Sequence, residues 1–302
     1  KLMSKIKAKL EDSLSSTDLN KSSYWQHHSK DLNQYSFKTF KLLKKNFFRS
    51  ILHNFFSKLV YGKEIFKTDE FKEYKKQFDR MDRIIDNDTM RHVFTLNLLK
   101  KYINPKKICV IGDGRACFFL GALNIFKNSQ IIHVNLNEML LNDYTIISDL
   151  KVLDDEKIQL INNENETFGK EKKLILVPAS LKKVLLNQNI DLFVNIASME
   201  EMTSIEINKY FEIIKNNNSL FYCCNREYKR LYDGEEAIFS RYPWGEGNKL
   251  FFENCKWHQK FYIFKFPFII KYNGTHKHCL IDYSGSFDKK KIIPGSDVEI
   301  EK

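Results

Sequence analysis

Between residues 107 and 224 the chain repeats one pattern, a short apolar run followed by a stretch with helical spacing. The runs fall at 107–112, 131–135, 174–178, 191–196 and 220–224. Each is apolar along nearly its whole length rather than at alternate positions, so both faces of the resulting strand must be covered. That requirement selects a parallel sheet with helices on both sides over an antiparallel sheet with one wet face. The first run ends in Gly112-Asp113-Gly114 and passes through Arg115 and Ala116 into Cys117-Phe118-Phe119-Leu120. Glycines at a strand-to-helix turn let the backbone bend tightly and let a ligand approach it, and open α/β sheets bind ligands at that edge.

The flanks read differently. Residues 1–23 are polar and serine-rich and are expected to form a flexible lead-in, with a short amphipathic stretch at Met3–Leu14. Residues 24–103 form an N-terminal helical region, because apolar residues recur at three- and four-residue spacing: Phe40, Leu43, Phe47, Ile51 and Phe55, then Met90, Val93, Leu96 and Leu99. Residues 104–302 carry the α/β domain. Its tail is strand-rich, and 261–270 with 276–283, separated by Tyr272-Asn273-Gly274-Thr275, predict a C-terminal antiparallel hairpin closing the sheet at its far edge.

A chain of 302 residues that is 43% hydrophobic can bury one α/β core plus a helical extension. Cys109, Cys117, Cys223 and Cys224 lie in apolar segments, and no cysteine forms a Cys-x-x-Cys pair or stands beside clustered histidines. This argues for reduced thiols in a cytoplasm and against a structural metal. The apolar run 261–270 is too short to span a bilayer and is interrupted by Lys265 and Pro267, so no membrane span is expected. The net charge of +11 is spread along the chain rather than clustered, so no nucleic-acid partner is expected.

The third glycine of a dinucleotide fingerprint is absent, since Cys117 holds its position. Asn135 ends the second strand where ribose-binding folds place a carboxylate, with Leu136 and Glu138 following. After the fourth apolar segment, Asn195, Ser198 and the pair Glu201-Met202 follow a strand led by Asp191. That segment resembles the fourth-strand motif of the sugar O-methyltransferase family, within the class I S-adenosylmethionine-dependent methyltransferases. The resemblance extends to Tyr24-Trp25, to Gly112 and Gly114, to 221–226 and to Tyr242-Pro243-Trp244, covering residues 24 to 245. The chain departs from the family pattern at Asn135 and at Arg115-Ala116.

The resemblance implies a Rossmann-like methyltransferase core, S-adenosyl-L-methionine as cofactor, and methylation of a hydroxyl on a sugar or nucleotide-sugar of a surface-polysaccharide precursor. It implies cofactor contacts at Gly112, Asp113, Gly114, Asn135, Leu136, Pro178, Ala179, Ser180 and Asn195. Glu201 is the first candidate general base, because it follows the fourth strand's end, although Ser198-x-x-Glu201 also fits a helix capping box. His258 is the second, with His276 and His278 nearby in the tail. His276 and His278 share a strand face at a spacing that suits a metal, but no third ligand is visible in the sequence and none is expected.

Ser198, Arg226, Tyr242 and Trp244 are the candidate substrate contacts: flat aromatic rings suit the C–H faces of a sugar, and Arg226 with Lys229 and Arg230 suits a diphosphate. Two other readings remain open, an NAD-dependent sugar-modifying oxidoreductase and a non-catalytic scaffold, and so do a homodimer and a larger multidomain parent chain.

Overall fold

The computed structural model describes residues 5–14, 22–27, 47–113 and 116–287. Its centre is an eight-stranded sheet built from β1 (Lys107–Ile111), β2 (Gln130–Asn135), β3 (Ile158–Leu160), β4 (Leu174–Pro178), β5 (Leu192–Ile196), β6 (Leu220–Arg226), β9 (Asn248–Asn254) and β12 (His276–Asp282), in the order β3-β4-β2-β1-β5-β6-β12-β9. The first six strands of that order run parallel, and β12 runs antiparallel to both β6 and β9, while β7 (Tyr228–Arg230) and β8 (Glu236–Ile238) pair as a separate antiparallel ribbon. Burial on both faces follows from the apolar runs. Along β1, Ile108 and Val110 enter one core while Cys109 and Ile111 enter the other, the period of two that a pleated strand imposes.

The first core is covered by α3 (Asp69–Arg80), α4 (Asn87–Tyr102), α5 (Cys117–Ile125) and α6 (Asn137–Asp149), whose Tyr74, Val93, Phe119 and Tyr144 are buried in it. Thr68 caps α3 by accepting from the Phe71 N–H at 3.2 Å, and Asp86 caps α4 by accepting from Thr89 N–H at 3.0 Å. The second core is covered by α7 (Ser204–Asn216) through Ile207, Phe211 and Ile214. The segment read as a lead-in contains α1 (Lys5–Ser13), which packs on α6 and buries Leu10. In α2 (Phe47–Tyr61) the expected helix is present, but Phe47, Ile51 and Phe55 face outward, and His53, Ser57, Val60 and Tyr61 are the buried side chains. Phe40 and Leu43 lie outside the described residues. Among the described residues no helix is long and apolar enough to cross a membrane.

The tail is antiparallel as expected, but its strands pair with other partners than the hairpin reading gave. Lys265 and Pro267 break the 261–270 run, which folds back on itself as a two-stranded ribbon of β10 (Lys260–Tyr262) and β11 (Ile269–Lys271) outside the main sheet. His276–Asp282 instead inserts between β6 and β9, every residue in register with β6 from His276 opposite Arg226 to Asp282 opposite Leu220. The edge of the sheet is Asn248–Asn254, which carries charged Lys249 and Glu253, as edge strands commonly do.

Candidate active site

A cleft of about 700 Å³, counted to its open mouth, lies over the C-terminal ends of β1, β2, β4 and β5. The chain leaves β1 toward β2 on one side and places β5 on the other, so the cleft is at the point where the strand order reverses. The structure brings together there seven of the residues singled out by sequence: Gly112 and Asp113 after β1, Asn135 and Leu136 after β2, Ala179 and Ser180 after β4, and Ser198 after β5. Val134, Lys182, Met202, Glu206 and Tyr210 complete the wall, and Ser22, just before the short helix 23–27, and Trp25 within it reach it from the N-terminal side. Gly114 lies outside the described residues.

Gly112 has φ +68°, and a Cβ added there would stand 2.3 Å from Ser198 Oγ. The glycine is therefore required first by the packing of the β5 loop against β1. Asn195 organises that contact from below. Its amide nitrogen donates to the Ile111 carbonyl at 2.8 Å and to Ser198 Oγ at 2.6 Å, and its oxygen accepts from Met199 N–H at 3.2 Å and from the Asn225 amide at 2.9 Å. Fully buried and absent from the cleft wall, Asn195 ties the ends of β1, β5 and β6 together. Its expected cofactor contact is corrected to a supporting role, because all its polar atoms are engaged by protein.

The Asp113 carboxylate accepts from Cys117 N–H at 3.0 Å and Phe119 N–H at 2.8 Å. The start of α5 is thus satisfied by the protein's own anion. The exposed helix N-terminus that a pyrophosphate needs is already occupied at these two groups.

Asn135 accepts from Leu136 N–H at 3.0 Å and faces Asp143 through its amide nitrogen at 3.4 Å. Asp143 is buried against His133, 2.7 Å away; burial pushes its carboxyl up to about 6, against the pull of His133. An asparagine at the end of β2 thus has a local reason: a carboxylate in its place would meet Asp143 as a like charge.

Sequence reasoning missed the pair Lys182–Glu206, 2.7 Å apart on the cleft wall, with Lys209 also 2.6 Å from Glu206. Burial raises the Glu206 carboxyl, but hydrogen bonds from Lys182 and Lys209 and their charges outweigh it and hold it below its ordinary value. The signal was Thr203-x-x-Glu206, for Thr203 caps α7 by accepting from Glu206 N–H at 3.3 Å. The capping box assigned to Ser198 and Glu201 is accordingly corrected: Ser198 turns its hydroxyl to the Ile111 carbonyl at 3.0 Å and caps no helix with its side chain.

Glu201 lies behind the cleft wall between Ser198 and Met202. Its backbone carbonyl accepts from Ser22 Oγ at 2.5 Å, its carboxylate meets Lys229 Nζ at 2.9 Å, and Tyr24 hydrogen-bonds it. Burial raises its carboxyl, and Lys229 resists that shift. Glu200 also approaches Lys229, at 3.5 Å, and accepts from Arg226 N–H at 2.6 Å.

Five further candidates do not line the cleft. Pro178 ends β4 opposite Asn135. Arg226 directs its guanidinium to Glu200 at 3.3 Å. Tyr242 and Trp244 are core residues: Trp244 packs on Phe211, Phe221, Phe239 and Phe252 and donates its indole N–H to the Phe239 carbonyl at 2.9 Å. These rings are closed to a sugar because the loop folds inward over the second core. His258 is buried beside Cys224 and Cys255 in the first core, and burial lowers its pKa well below the ordinary imidazole value. It is neither at the cleft nor suited to accept a proton there, and the fold brings two cysteines to a histidine where the sequence showed none beside clustered histidines. His278 is also internal, held between Tyr222 at 3.2 Å and Glu253 at 3.3 Å.

No protein-family model matches the chain, and no curated protein matches it in sequence. Among solved structures the chain is similar to M. capricolum TrmK in complex with S-adenosyl-homocysteine, with 16% identity over 63% of this chain and 68% of that one and a TM-score of 0.36. It is also similar to the mitomycin 7-O-methyltransferase MmcR, with 8% identity, 72% and 69% coverage and a TM-score of 0.38. A third similar structure is the precorrin-6y C5,15-methyltransferase from Geobacter metallireducens, with 12% identity, 63% and 86% coverage and a TM-score of 0.40.

Proposed function

We propose that the cleft binds S-adenosyl-L-methionine and that the protein transfers its methyl group to a hydroxyl of a sugar or nucleotide-linked sugar. The observation that carries the cofactor reading is the cleft at the sheet's reversal point combined with the α5 N-terminus closed by Asp113. The location suits a nucleoside-bearing ligand, while the closed helix end disfavours a dinucleotide, whose pyrophosphate would have to displace a carboxylate.

The cleft wall fits that ligand chemically. Gly112 and Asp113 would hold the amino-acid portion, Asn135 and Leu136 the ribose, and Ala179 and Ser180 the adenine edge. When bound, the cofactor supplies an electrophilic methyl group on a sulfonium sulfur. Trp25 and Ser22 would shield this space from water and offer the acceptor sugar an aromatic face and a hydroxyl. Glu201, whose carboxyl burial raises above its ordinary value, would take the hydroxyl proton once its side chain leaves Lys229 and turns into the cleft.

Glu201→Gln keeps the shape of the side chain and removes the base. With a methylatable acceptor sugar it is expected to lower turnover by at least about tenfold while leaving cofactor affinity unchanged. Normal turnover and acceptor affinity in the folded variant would remove Glu201 from the chemistry.

A further inference from the structure

We propose that Cys224, Cys255 and His258 form a buried structural site for one thiophilic divalent cation, zinc(II) being the occupant the ligand set selects. The site is independent of the cleft and of the reaction assigned to it. Cys255 and His258 come from one tight turn after β9, in a Cys-x-x-His spacing, with His258 N–H bonded to the Cys255 carbonyl at 3.2 Å. Cys224 comes from β6. His258 Nδ1 lies 3.1 Å from Cys255 Sγ and 3.6 Å from Cys224 Sγ, and all three donor atoms lie within 4.8 Å of one another. Zinc bonds of about 2.3 Å to sulfur and about 2.0 Å to nitrogen at tetrahedral angles put sulfur and nitrogen roughly 3.6 Å apart. The donors are therefore already near their bound spacing.

Further features bear on a metal thiolate. Burial holds the Cys255 thiol well above its ordinary value in the metal-free chain, so a thiolate there requires the charge of a bound cation. The His276 ring stacks on His258 with centroids 4.9 Å apart and its buried Nδ1 has no hydrogen-bond partner, but it stands outside the three-donor group, so it would complete the tetrahedron only after its ring shifts inward. Charge balances within the ligand set, since two thiolates neutralise a dication; the surroundings combine apolar Trp257 and Tyr222 with the buried Arg91, whose positive charge acts on His258. All three donor residues are buried to 1% exposure or less. Such a closed site fixes structure and is filled as the chain folds. It would join the 255–258 turn to β6, whose Cys224 carbonyl accepts from Ala197 N–H at 2.8 Å in the loop that carries Ser198.

The test uses the full chain expressed in minimal medium supplemented with zinc or, in parallel, with cobalt(II). The expected result is one equivalent of metal per folded chain after gel filtration with a weak chelator. The cobalt form should show a near-ultraviolet thiolate-to-metal charge-transfer band, which Cys255→Ser and Cys224→Ser each weaken. Titration of the denatured, metal-stripped protein should find all six cysteine thiols free. A folded wild-type chain without bound metal, a charge-transfer band that survives both substitutions, or a Cys224–Cys255 disulfide revealed as two missing thiols would each overturn the assignment. The wild-type measurements decide the matter even where a variant fails to fold.

Discussion

Asn195→Leu is expected to lower the stability of the protein by about 3–5 kcal/mol, near the upper end for a single substitution. Leucine occupies a similar volume but leaves Met199 N–H without its acceptor, deprives the Asn225 amide of one partner, and removes a donor from the Ile111 carbonyl. These groups lie where β1, β5 and β6 end, with Asn195 and Asn225 fully buried, so water cannot replace the lost partners without opening the strand ends. For a domain of this size the change corresponds to a fall of about 10 °C in melting temperature. Chemical denaturation of the variant checks the figure, and a loss below about 1 kcal/mol would show that the network is dispensable.

The second large effect is expected at Gly112, and its cause can be divided experimentally. An alanine there suffers twice: φ +68° is unfavourable for any residue with a Cβ, and that Cβ would lie 2.3 Å from Ser198 Oγ and 2.7 Å from Ser198 Cβ. The backbone cost alone is about 1–2 kcal/mol, and the clash adds on the order of 1–3 kcal/mol. Combining Gly112→Ala with Ser198→Gly removes the clash and keeps the backbone cost, so the double variant should be more stable than Gly112→Ala alone. Equal or additive losses in a denaturation cycle would mean that the two residues do not press on each other.

The fold was legible where burial dictated the residue types. The run at 174–178 is apolar throughout because the strand is covered on both faces, and the observed strand occupies those five residues. The tail was less legible, because the residues at 261–270 have strand character whether they extend one sheet or fold back on themselves. Only the position of Lys265 and Pro267 hinted at the break. At the cleft, Gly112 and Asn135 were legible as strand-end residues and Ser198 through the resemblance of its segment to a family motif, and all three line the same wall.

Trp244 and His258 were misplaced for a common reason. A sequence displays the chemistry of a side chain but not the face of the sheet that its loop folds over, and both loops turn inward. Lys182 and Glu206 escaped notice because the pair joins the turn after β4 to α7, a contact made only by the tertiary fold. Asn195 shows the converse: its motif pointed to the correct loop, yet its role emerges only when the partners from three strands are assembled around it.

The most direct measurement is a calorimetric titration of the full chain with S-adenosyl-L-methionine, with NAD as the comparison ligand, on the wild type and on Ser180→Trp. Ser180 is exposed on the cleft wall, so an indole there fills the cleft while leaving the core untouched. Saturable binding of one S-adenosyl-L-methionine per wild-type chain, no comparable binding of NAD, and loss of the signal in folded Ser180→Trp is the expected result. Binding of NAD in preference to S-adenosyl-L-methionine, or S-adenosyl-L-methionine binding that Ser180→Trp leaves unchanged, would contradict the assignment of the cofactor to this cleft.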